Sequence, residues 1–232
     1  MKLHNNKTVL LVFSLSAKLE AERKSVFGGH KKSVSKQFFN LLIKNTLKVA
    51  NNSGVDVVWL DETQQEGYTF AERYTNAYKS LYAQGYNNVI SIGNDTPNLT
   101  AKHIQQAVDA MATKKVVFGP SKDGGIYLFG VHKSIFNEDA FKNLPWLTSK
   151  LSKKIHYLAI ANNVSFTILE TLQDVDTTNE AMQFAYSNPN LVLSNFIIAH
   201  LNFKVTPKAN AASGVITSFY STSFLRRGPP NL

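Results

Sequence analysis

An α/β protein with a mostly parallel sheet and helices on both of its faces is what this sequence predicts, on three observations. Short apolar runs alternate with longer stretches whose apolar residues recur every three or four positions, and such alternation implies right-handed crossovers between parallel strands. Two of the helical stretches are closed by a glycine, Gly54 and Gly85, as helix ends commonly are. The loops after the two central apolar runs carry an acid beside glycine, and open α/β sheets bind their ligands at that end of a strand.

Each element follows from its own pattern. Residues 8–14 read as the first strand. Residues 33–52 read as a helix through Phe38, Phe39, Leu42, Ile43 and Leu47. Residues 55–60 form a second strand ending at Asp61, and 69–84 a second helix. A third strand at 89–92, a helix at 100–112 and a fourth strand at 116–118 come next. The fifth strand, 126–131, lies so close behind the fourth that an antiparallel neighbour is expected there. Helical character returns at 149–162, a sixth strand at 165–169, and a last helix runs to about residue 186. The stretch 188–232, rich in Ser, Thr, Asn and Pro, is expected to be a C-terminal arm, partly disordered, behind a domain of residues 1–187.

Composition narrows the class. With 44% hydrophobic and 18% charged residues the chain reads as globular, and its 232 residues suit one large domain. There is no cysteine, which excludes disulfides and thiolate metal sites and suits a cytoplasmic setting. No apolar run approaches the roughly 18 residues of a spanning helix, and 9–13 reads as a strand rather than a signal peptide. The net charge is +9, and residues 1–54 hold ten basic side chains against Glu20 and Glu22. A basic first third favours phosphates or another polyanion, and equally describes a solvated lysine face. Aromatic residues are not interleaved with the lysines, so nucleic acid is the weaker reading.

The candidate site lies in two loops, residues 93–99 and 119–125. Asp95 follows Gly93 and precedes Pro97, which stiffens the turn. One carboxylate with substrate phosphates is enough to begin a site for a hard cation; the same residues also suit an Asx turn opening the next helix. Asp123, Gly124 and Gly125 are placed to line an acceptor pocket, or to make a hairpin turn. Arg73, beside Glu72 at a helix start, can grip a phosphate or form a surface ion pair. The segment from Ser14 to Lys24 stands where nucleotide-binding α/β proteins keep a phosphate loop, but has no glycine until Gly28; Arg23 and Lys24 can supply charge instead. Of Asp174 and Asp176, only one is expected to face the site, and Asp176 is equally placed to cap the helix that follows. The six histidines show no paired spacing for zinc and are taken as incidental.

At these residues the chain resembles the DUF2064 family of glycosyltransferase A-type (GT-A), nucleotide-diphospho-sugar transferase-like proteins. The resemblance rests on Ile92-Gly93-Asn94-Asp95-Thr96-Pro97-Asn98-Leu99, on residues 119–130, on Gly67-Tyr68-Thr69-Phe70-Ala71-Glu72-Arg73, on Leu144-Pro145-Trp146 and on Asp174-Val175-Asp176-Thr177. The ending Arg226-Arg227-Gly228-Pro229-Pro230 is similar to that of a Bacteroidetes-type branch. The resemblance implies a Rossmann-like three-layer sandwich on a mixed, mostly parallel sheet, binding a nucleotide or nucleotide sugar with Mg²⁺ or Mn²⁺. Asp95 would be the main metal ligand and Asp176 the second, with Ser14, Arg23, Lys24, Arg73 and Gly93 around the nucleotide. The implied activity is a metal-dependent glycosyl or nucleotidyl transfer. The alternative is a non-catalytic binding or scaffold protein with a degenerate phosphate loop. Three departures stand out. The family's Pro-x-x-Gly-x-x-Lys-Thr-Arg-Leu is replaced here by residues 16–23, a glycine before the Glu-Arg pair is Ala71, and a cysteine after the metal acid is Thr96.

Overall fold

The computed structural model describes residues 7–29 and 31–201. In chain order these form β1 (Thr8–Phe13), α1 (Ala17–Arg23), α2 (Lys32–Asn51), β2 (Asp56–Leu60), α3 (Phe70–Ala83), β3 (Asn88–Ile92) and α4 (Ala101–Met111). β4 (Val116–Pro120), β5 (Ile126–His132), α5 (Glu138–Lys142), α6 (Leu151–Ala161), β6 (Phe166–Ile168), α7 (Thr178–Ser187) and α8 (Val192–Leu201) complete it. The strands make one sheet ordered β2-β1-β3-β5-β4-β6. β5 runs antiparallel to both β3 and β4, and every other pairing is parallel. The expected antiparallel neighbour is therefore present, and the α/β class with a mixed, mostly parallel sheet holds.

Both faces of the sheet are covered. Successive side chains of a strand point to opposite faces, so Val9 and Leu11 pack into one apolar cluster with Tyr78 and Leu81 of α3. Leu10 and Val12 pack into another with Ile104, Ala107 and Met111 of α4. A third cluster joins α1, α2, α7 and α8 through Phe38, Phe39, Leu42, Phe184 and Ile197. Tyrosine hydroxyls bolt α3 to the sheet: Tyr78 donates to the Phe129 carbonyl at 2.7 Å and Tyr82 to that of Val131 at 2.8 Å.

Three helices stand where none was expected. α1 lies in the segment read as a displaced phosphate loop, α5 precedes α6, and α8 lies within the stretch expected to be a poorly organised arm. α8 contributes Ile197 and Phe196 to the third cluster. The remainder of that arm, 202–232, lies outside the described residues. No helix among the described residues is long and apolar enough to cross a membrane.

Candidate functional site

The carboxyl ends of β1, β3 and β4 open into a cavity of about 490 Å³, within the size range of small-molecule sites. Its floor comes from the loop after β3, and one wall from the turn between β4 and β5. A further wall is a segment past β6 that runs across the strand ends. The Leu172 amide donates to the Pro120 carbonyl at 3.1 Å, Lys122 to that of Leu172 at 3.0 Å, and Val175 to that of Asp95 at 2.8 Å. These bonds fix the direction of the segment. Val175 is fully buried among helices, while Asp174 and Asp176 both line the cavity. The expectation that only one of them faces the site is thereby corrected, because residues two apart on extended chain share a side. Nor does Asp176 cap α7: Thr177 does, accepting from the Glu180 amide.

The charged end of the cavity is organised by Lys24. Its Nζ lies 2.9 Å from Asp95 Oδ2, 2.7 Å from Asp176 Oδ1 and 3.4 Å from Glu20 Oε2. Burial alone would lower the Lys24 pKa, but the carboxylates of Asp95, Glu20 and Asp176 raise it well above the ordinary lysine value. Burial works to raise Asp95, yet the Lys24 ammonium outweighs it and holds that carboxyl below its usual range. Asp174 has no such partner. Burial and then the Asp95 charge push it up to about 7, although Thr96 Oγ1 donates to it at 2.5 Å. Burial also raises Asp176 and Glu20, in both cases against the pull of Lys24.

The other expected residues fall around this cluster with different tasks. Ser14 lines the cavity, but its hydroxyl accepts from Trp59 Nε1 at 3.0 Å and its carbonyl from Gln65 Nε2 at 2.7 Å. Arg23 sits at the rim, exposed. Arg73 lines the cavity as well, donating to Gln65 Oε1 and to the Tyr68 carbonyl. Glu72 closes a capping box with Thr69 at the head of α3, so the Glu-Arg pair divides between helix start and cavity wall. A Cβ on Gly93 would come within 3.0 Å of Asp95 Oδ1, so glycine there leaves the carboxylate room. Asp123 is held by Ser121 Oγ at 2.5 Å and the Gly125 amide at 2.8 Å. Asp123 and Gly125 line the cavity. Gly124, at φ +92, does not: a Cβ there would approach the Ser149 carbonyl to 2.2 Å, so its backbone docks the loop before α6.

Several cavity residues were given no role in the sequence, although Phe70, Asn94 and Trp146 fall within the motifs that carry the resemblance. Phe13, Phe70, Tyr74 and Trp146 make a cluster of rings in its lining, with Tyr74 and Trp146 edge-to-face at 4.9 Å and Phe70 and Trp146 5.9 Å apart. Asn94 is buried, lines the cavity, and its Nδ2 has no hydrogen-bond partner. Glu20 could have been found from its place four residues before Lys24 on a helix, had the helix been seen. His103, set aside as incidental, serves the fold. It caps α4 with Thr100 and pairs with Glu170 at 2.5 Å. Among the described residues, no group of three or more His, Cys, Asp or Glu is arranged to hold a metal ion.

An open sheet with an acid-rich cavity at its strand ends places the chain among the α/β proteins whose ligand sites lie at the carboxyl ends of their strands. Comparison with known proteins carries this further. Residues 48–148 match the profile of DUF2064, described as an uncharacterized protein conserved in bacteria. The resemblance read in the sequence is shown over that span, which holds Arg73, Gly93, Asp95 and Asp123 but neither Lys24 nor Asp176. A "putative nucleotide-diphospho-sugar transferase" from Desulfovibrio desulfuricans G20 has the same fold. It matches at a TM-score of 0.72 and 19% identity over 82% of this chain and 93% of that one. Two weaker likenesses, at TM-scores too low to carry a site argument, complete the picture. One is Rv0371c of Mycobacterium tuberculosis H37Rv in complex with manganese (0.44, 13% identity, 75% of this chain and 95% of that one). The other is CMP:2-keto-3-deoxy-manno-octonic acid synthetase complexed with CTP (0.46, 10% identity, 80% and 100%). No curated protein matches the chain.

Proposed function

We propose that the cavity takes a nucleotide sugar and that the chain is a transferase of the glycosyl or nucleotidyl class. The observation that carries this reading is the lining of one cavity by both a cluster of rings and a cluster of acids, with arginines at its margin. Flat rings suit a base or a sugar face. Carboxylates with lone pairs to spare, Asp123 and Asp174, accept from sugar hydroxyls, and the unpartnered Asn94 amide offers a donor. Arg23 and Arg73 can meet a diphosphate with planar forks. A transferase then works by holding the donor and acceptor in line and shielding the leaving diphosphate from its own charge.

Mg²⁺ or Mn²⁺ is the cofactor that this fold class implies. Such an ion would supply positive charge to offset that of a leaving diphosphate. Asp95 and Asp176 have the right chemistry for it, but the oxygens they turn toward each other are engaged by the Lys24 ammonium. As arranged, the residues do not fit a divalent ion. The same observation favours a second reading, a binding or scaffold protein that keeps the fold without the reaction.

A thermal-shift screen tests the proposal. Nucleoside di- and triphosphates and nucleotide sugars are added to wild type and to Arg23→Ser, with and without Mg²⁺ or Mn²⁺. A ligand at about 100 times its Kd adds roughly 2.7 kcal/mol. The expected result is a nucleotide-sugar shift in wild type that shrinks in Arg23→Ser. Silence across the panel from a folded protein would overturn the transferase reading and leave the scaffold.

A further inference from the structure

We infer that the Lys24 ammonium is the resident cation of this site, standing where a divalent ion would bridge Asp95 and Asp176, so that the chain's carboxylates form a metal site only when Lys24 is removed. The geometry is that of a cation already coordinated. The 2.9 Å contact to Asp95 is a charge-assisted hydrogen bond, and Asp176 Oδ1 forms a close ion pair at 2.7 Å without hydrogen-bond alignment. A magnesium ion would need oxygens at about 2.0–2.1 Å around a common centre. The ammonium and the ion would share the same oxygens, so one excludes the other.

Lys24 is also held against leaving. It is the C-cap residue of α1, its amide donating to the Glu20 carbonyl at 2.8 Å. Glu20, one turn earlier on the same helix, supplies the third carboxylate at 3.4 Å. The start of α1 is fixed by Glu62, which accepts from the Ser16 amide at 2.6 Å. The chain just past α1 is fixed by Thr178 Oγ1, which donates to the Val26 carbonyl at 2.6 Å. The ammonium further lies 5.9 Å from the Phe39 ring centroid, within cation–π range. A divalent ion entering the acid pair would have to push a positive charge out of a partly buried place while repelling it. The chemical class of ligand for the vacated site is a hard divalent cation on carboxylate oxygens.

The test uses Mn²⁺ alone, with no nucleotide, so its outcome is independent of the transferase reading. Mn²⁺ binding is followed by the loss of its free-ion paramagnetic resonance signal in wild type, Asp95→Asn, Lys24→Met, Lys24→Arg and Lys24→Met/Asp95→Asn. Wild type and Lys24→Arg are expected to retain no Mn²⁺ below about 1 mM, the weak end of oxygen-ligand sites. Lys24→Met should bind one ion at least about tenfold more tightly, since a nearby like charge has gone, and the double variant should lose it. Stoichiometric binding by wild type that Asp95→Asn abolishes would overturn the inference, as would a folded Lys24→Met that gains nothing. Should Lys24→Met fail to fold, Lys24→Gln takes its place, and the wild-type and Asp95→Asn pair decides without either.

Discussion

Asp174 and Lys24 show what a single side chain contributes here and how little of it is written locally. Asp95 was legible as a candidate because an acid just past an apolar run stands where open α/β sheets bind ligands, although an Asx turn would use the same residues. That Lys24 meets it was not, since 71 residues separate them and spacing along a chain says nothing about such a pair. Asp174 went unchosen for the same reason: its burial is made by the segment's path across the strand ends. The Asp174 carboxyl titrates near 7 in the folded protein against an ordinary value of 3.8. The native state therefore binds a proton more tightly than the unfolded chain, and stability falls as pH rises from about 4 to about 7. Asp174→Asn keeps an acceptor for Thr96 without the charge. It is expected to raise stability at pH 8 by roughly 2 kcal/mol, allowing for solvent at the cavity, and by almost nothing at pH 4. Urea melts of both proteins at the two pH values measure this, and an equal effect at both would refute it. Gly124 makes a second case. At φ +92 and against the Ser149 carbonyl, it has no space for a methyl group, so Gly124→Ala should cost about 2 kcal/mol or more and loosen the loop before α6. A Cm unchanged from wild type would be inconsistent with that packing.

At the scale of elements, what could be read was set by length and by sidedness. α2, α3 and α4 show strong apolar stripes and capping or stop residues, and the sequence places them within a few positions. α1 has seven residues and α5 five, too short for a period to stand out. α8 is apolar nearly all round, so it has no stripe to detect although it is well buried at Ile197. α7 matters most for the site, because its first turn follows Asp176 directly. The Thr177 hydroxyl accepts from the Glu180 amide, and Glu180 Oε2 accepts from the amides of Asp176 and Thr177 at 3.0 and 2.9 Å. Thr177→Ala should therefore cost about 1 kcal/mol, while Thr177→Ser should cost little. The telling measurement adds amide exchange: Asp176 and Thr177 should lose protection in the alanine variant only. Equal stability of Ala and Ser variants would mean the box is not holding this turn.

Across the whole molecule, the placement of the site follows from a sheet that is covered on both faces and open only at its strand ends. The sequence indicated this through nearly continuous apolar runs, with no polar alternation, in the central strands. A half-exposed antiparallel sheet would alternate. β1 is the sharpest instance, for Leu10 and Leu11 are adjacent, point to opposite faces, and are both fully buried. Leu10 packs with Ile104 and Met111 under α4, and Leu11 with Tyr78 and Leu81 under α3. If both layers belong to one cooperative unit, Leu10→Ala and Leu11→Ala should each cost about 2–5 kcal/mol. Each should lower the urea midpoint while leaving the slope of the transition unchanged. A sheet with one solvated face would instead lose stability from only one of the two. Two transitions, or a changed slope in one variant, would show that a helical layer melts apart from the sheet. The cavity would then lose its rigid frame, because α3 supplies Arg73, Phe70 and Tyr74 to its wall. A single transition in both variants would mean that the acids, the ammonium and the ring cluster are held by the same cooperative structure, as a site preset before its ligand arrives requires.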